Sequence, residues 1–399
     1  MDSHEFIRFP PYEVKLTPSL LMLLGEIQAE LNQIAKIPIS PQEQHRLKIL
    51  YFARAVHSTT AIEGNTLSED EVLRIIRDQD PSSPSSNYDE QEVRNVIDAL
   101  NLIDQDILDG NSASYSLALL NGFHRQLISA TGTPNCSDTE IGELRKQSVT
   151  VGRYLGPPAA ECRDLLAKFC EWLNEDTSIP EGLERYELTW QIVRAIVAHI
   201  YFAWIHPYCD GNGRMARLIE FRLAFAAGVP DFAAHLFSNV YNRRRTKYVE
   251  LLQDSHGDFL DGAYSQYADI QRFVEWALEC YRHDLHEQSL YIYSSQITVI
   301  WHDYIYSSFP EKLSNAQRRR RRLALDLTHP EFQQPVQFRD IRNLSPAVAV
   351  AYVDESDQTI RNDLRVLIDM GLVQRAAGGY KPNTDILTGF FASVRAQED

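Results

Sequence analysis

The stretch that most constrains this chain runs from Leu188 to Gly228. Leu188, Ile192, Ile196 and Ile200 recur four apart, with Val193, Val197 and Ala203 beside them. That is the period of a helix buried along a broad face. Pro207 lacks an amide proton and stops the helix just after His206. Gly211 and Gly213 then allow the backbone to turn with φ above zero. A second helix is expected from about Arg214 to Ala227, capped by Gly228.

The turn between these helices has a chemistry. A glycine turn opening a helix aims several free amides at one point, and the helix dipole adds positive potential there. Arg214 and Arg217 are three apart and share a face beside that point. Two guanidinium groups and a nest of amides suit a polyphosphate. Asp210, on the same loop, could hold a magnesium ion against it. His206 could take a proton from an incoming hydroxyl.

The run His206–Arg217 reads His-Pro-Tyr-Cys-Asp-Gly-Asn-Gly-Arg-Met-Ala-Arg. It resembles the signature of Fic-domain proteins, with Tyr208 where Phe is more usual. The resemblance covers about residues 45–285. It implies a mainly α fold, a Fic helical bundle with a small β-hairpin flap. It also implies a protein adenylyltransferase that moves AMP from ATP, with Mg2+, to a Ser, Thr or Tyr hydroxyl of a target protein. His206 would be the catalytic base. Asp210, Gly211, Asn212, Gly213, Arg214, Met215, Ala216 and Arg217 would contact the nucleotide. Asn212 and Arg214 would meet the α- and β-phosphates, Arg217 the γ-phosphate, and Asp210 the metal.

Two further segments join this reading. Pro41 suits a first helical turn, and Gly64 and Asn65 are stop signals, so Glu63 sits at a helix C-terminus. The dipole disfavours a carboxylate there, and a cation partner would relieve it. Thr59, Glu63 and Gly64 resemble the Fic inhibitory motif, which implies that Glu63 pairs with Arg217 and blocks the γ-phosphate. Gln147–Gly152 alternates and carries β-branched residues before Gly156-Pro157-Pro158. This hairpin resembles the Fic flap, which clamps a target peptide by strand addition; Val149, Thr150, Val151 and Gly152 match its nucleotide-contacting positions. Tyr248 matches the Tyr that lies near the adenosine in relatives, and an ordinary core tyrosine would serve the residue pattern equally well.

Beyond this core, residues 311–399 carry 13 basic and 12 acidic side chains, a balance of +1, leaving −17 on the preceding 310. The composition shift marks a domain boundary at about 310; together with the resemblance it implies an N-terminal helical region (1–100) containing the inhibitory helix Pro41–Gly64, a Fic catalytic core (101–290), a linker or helix (291–317) and a winged-helix domain (318–399). Ser356–Leu367 reads as a helix, with Thr359 opening the face that would read a groove, and Gly378–Lys381 as the wing. A near-zero local charge is weak for DNA binding. The five arginines Arg318–Arg322 read as a solvated stretch, and Asp78–Asn87 as a polar loop.

The net charge of −16 argues against a general polyanion binder. Five scattered cysteines (136, 162, 170, 209, 280) suggest a reduced, cytoplasmic protein without disulfides or structural zinc. Met1–Tyr12 has no signal pattern, and no membrane-length apolar run of ~18 residues is expected, so no membrane association is expected. Partners implied are ATP and a target protein, the chain itself as a target, a homodimer partner, and DNA only weakly. Two alternatives stay open: transfer of a different group or removal of AMP at the same site, and a nucleotide-sensing winged-helix transcriptional regulator.

Overall fold

The computed structural model describes residues 4–9, 14–77, 87–110, 114–133, 135–175, 179–180, 182–256, 259–260, 263–264, 269–328 and 334–388. The loop expected at 78–87 lies outside these residues except for Asn87, as does the C-terminal 389–399. The chain divides into two compact units, residues 1–289 and 290–399.

The first unit is helical. In order it holds α1 (Pro18–Ile34), α2 (Pro41–Glu63), α3 (Glu69–Arg77), α4 (Tyr88–Leu108), α5 (Leu117–Ile128), the strands β1 (Thr150–Val151) and β2 (Tyr154–Leu155), then α6 (Cys162–Asn174), α7 (Glu187–Ile205), α8 (Asn212–Ala226), α9 (Asp231–Ala234), α10 (Leu236–Arg243) and α11 (Arg245–Asp254). A short hairpin, β3 (Phe259–Leu260) and β4 (Ala263–Tyr264), precedes α12 (Gln271–Ser307).

α7 and α8 form the centre and pack more extensively on each other than any other pair. Ile192, Val193, Ile196, Val197 and Ile200 of α7 are all fully buried. The segment Glu184–Ile205 has a mean hydropathy of 1.3 over its most apolar window, enough by length and composition to cross a membrane, contrary to expectation. Its surroundings explain this: 83% of that window is buried inside the bundle, where a core helix needs no polar face.

α2 shows how local sequence sets an element. Ser40 caps it by accepting the Glu43 amide, Pro41 occupies its first turn, and Gly64 ends it at φ 105°, a conformation an L side chain resists. α2 packs on α10, α3, α4 and α8, which delivers its C-terminal end, with Glu63, to the start of α8.

The second unit begins before the expected boundary. Trp301, Ile305 and Phe309, from the stretch read as a linker or helix, are buried in its core with Leu323, Ile341, Leu364 and Leu367. The helix alternative holds up to Ser307, where α12 ends, and it carries the fully buried Trp301. α13 (Asn315–Asp326), α14 (Pro346–Ala351) and α15 (Asp357–Asp369) are followed by the wing hairpin, β5 (Val373–Ala376) paired antiparallel with β6 (Gly379–Pro382). Val336 bridges to Tyr380 and widens the wing.

The arginine run is not merely solvated. Arg319 Nε and Arg320 Nε donate to the two oxygens of Asp363, at 2.8 and 2.6 Å. Arg319 also pairs with Glu355. Asp363 is 1% exposed, so a buried carboxylate of α15 requires two of the five guanidiniums as partners.

Candidate active site

His206 ends α7 in the left-handed conformation, φ 46° and ψ 58°, which costs a non-glycine residue energy and persists only where neighbours enforce it. Arg145 enforces it. Its Nε donates to the His206 carbonyl at 2.8 Å, and its backbone amide donates to Pro207 O at 2.9 Å. The same guanidinium donates to Gln147 O and Pro157 O at the two ends of the β1–β2 hairpin. One buried arginine therefore ties the β1–β2 hairpin to the His206 turn.

The His206 ring lies with Nδ1 3.3 Å from Ala203 O. That carbonyl accepts a hydrogen bond from Nδ1–H, which leaves the lone pair on Nε2. Burial, with Arg145 nearby, lowers the His206 pKa to about 4, so the imidazole is neutral at pH 7 and able to accept a proton.

Gly211 caps α8 at φ 74° without a side-chain hydrogen bond, so the first amides of α8 remain available to an anion. Gly213, by contrast, is helical, not a positive-φ turn residue as expected. Its role is proximity: a Cβ there would collide with Glu63 Oε1 and sit 3.3 Å from Arg217 Nη1. Asn212 also departs from expectation. Its amide oxygen accepts the Tyr208 amide and its Nδ2 donates to Tyr208 O, both at 2.9 Å. The side chain closes the turn through these two bonds. Met215 and Ala216 are fully buried, with their side chains in the core.

Arg217 is 3% exposed. It donates to Glu63 Oε1 at 2.5 Å, to Thr59 Oγ1 at 2.7 Å and to Thr59 O at 3.0 Å. Its Nη1 is buried without a hydrogen-bond partner among the described residues, a donor in want of an anion. Burial raises the Glu63 pKa, but Arg217 and Arg214 more than offset this, so its net shift is downward and it stays ionised. Arg214 donates to Glu92 Oε1 at 2.6 Å and lies 3.6 Å from Asp210 Oδ1. Glu92, 1% exposed, also accepts Asn65 Nδ2 at 2.7 Å.

Asp210 is held from both sides. Gly211 N donates to its Oδ1 at 2.6 Å, and Thr133 Oγ1 and Asn135 Nδ2 donate to its Oδ2. Burial raises its pKa, but these donors and Arg214 lower it on balance. A single oriented carboxylate beside an amide nest fits a magnesium ion whose other ligands are phosphate oxygens and water.

A cavity of about 220 Å³ brings the separate segments together. Ile62 and Glu63 line it from α2, Val151 and Tyr154 from the flap, His206 and Gly213 from the turn, Arg217 from α8, and Tyr248 and Gln253 from α11. Tyr248 is 4% exposed and its hydroxyl meets His199 Nε2 at 2.9 Å; His199 and Tyr241 in turn meet Glu220, at 2.9 and 2.6 Å. So Tyr248 is both a wall of the cavity and part of a buried network. Thr150 and Gly152 are exposed, and Val149 is half-buried.

Residues 114–224 match the family model described as Fic/DOC family. The chain carries a Fic domain. Residues 339–385 match a DeoR-like helix-turn-helix domain, which accounts for α15 and its wing. The Fic domain and its surroundings are 27% identical over 199 residues to the protein adenylyltransferase fic-1 of Caenorhabditis briggsae, covering 50% of this chain and 36% of that protein. Against the protein adenylyltransferase Fic of Nematostella vectensis the identity is 25% over 259 residues, 65% of this chain and 53% of the relative. The chain thus spans between a third and about half of these curated relatives. A Fic family protein from Desulfovibrio desulfuricans G20 superposes with a TM-score of 0.53 at 21% identity, covering 92% of this chain and 93% of that one. A Fic domain containing signaling protein from Bacteroides thetaiotaomicron gives 0.50 at 17% identity, over 66% and 95%. At these identities the likeness establishes the fold.

One expectation about this Fic domain fails. Cys136 and Cys209 form a disulfide, with Cα atoms 5.6 Å apart. Spacing along the chain gave no hint, because 73 residues separate the partners and only the fold brings their loops together. Sequence reasoning also missed Glu92, Thr133, Asn135 and the bracing role of Arg145. Glu92 left a signal: it lies in line with Val96, Ala99 and Ile103 on the buried stripe of α4, and a carboxylate there needs a cation.

Proposed function

We propose that the chain is a protein adenylyltransferase held in check by Glu63. The observation that carries the reading is one cavity shared by a neutral His206 with its Nε2 lone pair free, the amide nest of α8, and an Arg217 occupied by a carboxylate. Curated relatives bearing the name protein adenylyltransferase support it.

In this reading the phosphates of ATP settle on the backbone amides at the start of α8, with Arg214 beside them. Arg217 Nη1 turns to the γ-phosphate once Glu63 withdraws. Asp210 would hold a magnesium ion, which when bound supplies charge neutralisation for the phosphates. Tyr248 and the flap wall the nucleotide, and the β1 edge receives an extended segment of the target. His206 Nε2 takes the proton from the target hydroxyl as its oxygen attacks the α-phosphorus, and pyrophosphate leaves. Charge stabilisation and positioning do most of the work.

Glu63 opposes this geometry. Its carboxylate fills the space above Gly213 and holds Arg217, so the γ-phosphate would meet both a clash and a like charge. Thr59 grips Arg217 independently, so removing Glu63 leaves the guanidinium in place. A panel of α-labelled nucleotides offered to Glu63→Gly tests the donor. Label from ATP is expected on protein; labelling by none of the panel contradicts the proposal.

A further inference from the structure

We infer that Cys136 and Cys209 are a redox-modification site that sets the order of Asp210: the disulfide holds this carboxylate ready for a divalent cation, and reduction by a dithiol loosens it. The consequence for cation binding rests on the reading of Asp210 given above; the clamp itself does not.

The bond ties the residue next to Asp210 to the residue next to Asn135. Thr133 and Asn135, close to the anchored Cys136, supply both outside donors to Asp210 Oδ2, the Thr133 hydroxyl and the Asn135 amide. Thr133 is 6% exposed, so its hydroxyl has little water to bond with elsewhere. Groups that orient a ligating carboxylate commonly govern affinity for the ion. Cys136 and Cys209 are each half-buried, within reach of a small reductant, whereas free Cys162 and Cys170 are buried.

A metal site at the same place is the competing use. His124, Cys136 and Cys209 set their potential ligand atoms within 4.8 Å of one another. Both His124 nitrogens are engaged, however: Nδ1 accepts the Gly142 amide at 2.9 Å, which puts the proton on Nε2, and Nε2 donates to Asp210 O at 3.0 Å. With the imidazole committed and the sulfurs bonded to each other, the group reads as a redox pair. The His124–Asp210 bond also carries the effect, because it joins the same loop backbone to α5.

The chemistry balances as thiol–disulfide exchange. One thiolate of the dithiol attacks a protein sulfur and forms a mixed disulfide; its second thiol then resolves that bond. Two electrons and two protons pass to the protein, leaving Cys136 and Cys209 as thiols and the dithiol as its cyclic disulfide.

The test uses the full-length Glu63→Gly protein, oxidised with oxidised glutathione or reduced with dithiothreitol. Alkylation with iodoacetamide and peptide mapping should label Cys136 and Cys209 only after reduction. Hydrogen exchange should quicken on reduction in peptides spanning 135–142 and 206–214. Mn2+ binding in the presence of a non-hydrolysable ATP analogue, read from free Mn2+ by electron paramagnetic resonance, should weaken about tenfold on reduction. Thr133→Val should weaken it comparably with the bond intact. Full alkylation of oxidised protein, or unchanged exchange in both peptides, overturns the inference, as does equal Mn2+ affinity in the two forms. Exchange that responds to reduction while neither form binds nucleotide leaves the clamp standing and removes the adenylyltransferase reading instead.

Discussion

Glu63→Gly should raise the rate of AMP transfer by about 30- to 150-fold. The Glu63 carboxylate meets Arg217 Nη2 at 2.5 Å, and Arg217 is 2% exposed on its side chain while Glu63 is 32% exposed. Truncating one member of a fully desolvated pair changes energies by roughly 2–5 kcal/mol. The partial exposure of Glu63 places this pair in the lower part of that range, about 2–3 kcal/mol. At 1.36 kcal/mol per tenfold, the released energy becomes the stated rate gain if all of it reaches the transition state. Thr59 still holds Arg217 through its hydroxyl and carbonyl, so the variant should gain rate without losing the site. Initial rates of label transfer from α-labelled ATP, for parent and variant at equal occupancy, measure this. A ratio within about twofold of unity, in a variant that binds ATP normally, would refute the assignment of Glu63 as the block.

Three further outcomes follow from the geometry. His206→Ala in the Glu63→Gly background should lower transfer by about 10²–10⁴-fold while nucleotide affinity, measured by calorimetry, stays within a few-fold. The acid limb of kcat/KM should fall near pH 4, not 6.5, because burial lowers the His206 pKa to about 4; below the free-histidine pKa the unfolded chain takes up a proton that the folded site refuses, so stability should decline from about pH 6.5 toward 4. A pH series of rates and melts would read both. Asp363→Asn leaves Arg319 and Arg320 without their buried anion and should cost roughly 3–5 kcal/mol in the C-terminal unit, seen by calorimetry as an earlier transition with nucleotide binding intact.

The parts of the protein written in local sequence were the readable ones. α7, the turn at 206–211 and α8 follow from an apolar period, a proline and Gly211, with Gly213 falling inside α8 instead of the turn, and Ser40, Pro41 and Gly64 mark the ends of α2. The wing hairpin follows in part from Gly378-Gly379-Tyr380-Lys381, which fall in and beside β6. What stayed hidden depends on pairs distant in sequence. Glu92 finds Arg214 across 122 residues, and Cys136 finds Cys209 across 73. Asn212 looked like a phosphate ligand by type, yet the turn uses its amide group for closure. The arginine run looked solvated because its partner, Asp363, lies more than forty residues downstream on another helix.

If the imidazole of His206 directs a hydroxyl onto the α-phosphorus of ATP once Glu63 is gone, the chain should serve as its own acceptor. Intact mass spectrometry of Glu63→Gly incubated with ATP, magnesium and no other protein reads this. A mass gain of one adenosine monophosphate is expected, and it should be missing when His206→Ala is added. No adduct, an adduct of phosphate alone, or an AMP adduct that persists without His206 would contradict it.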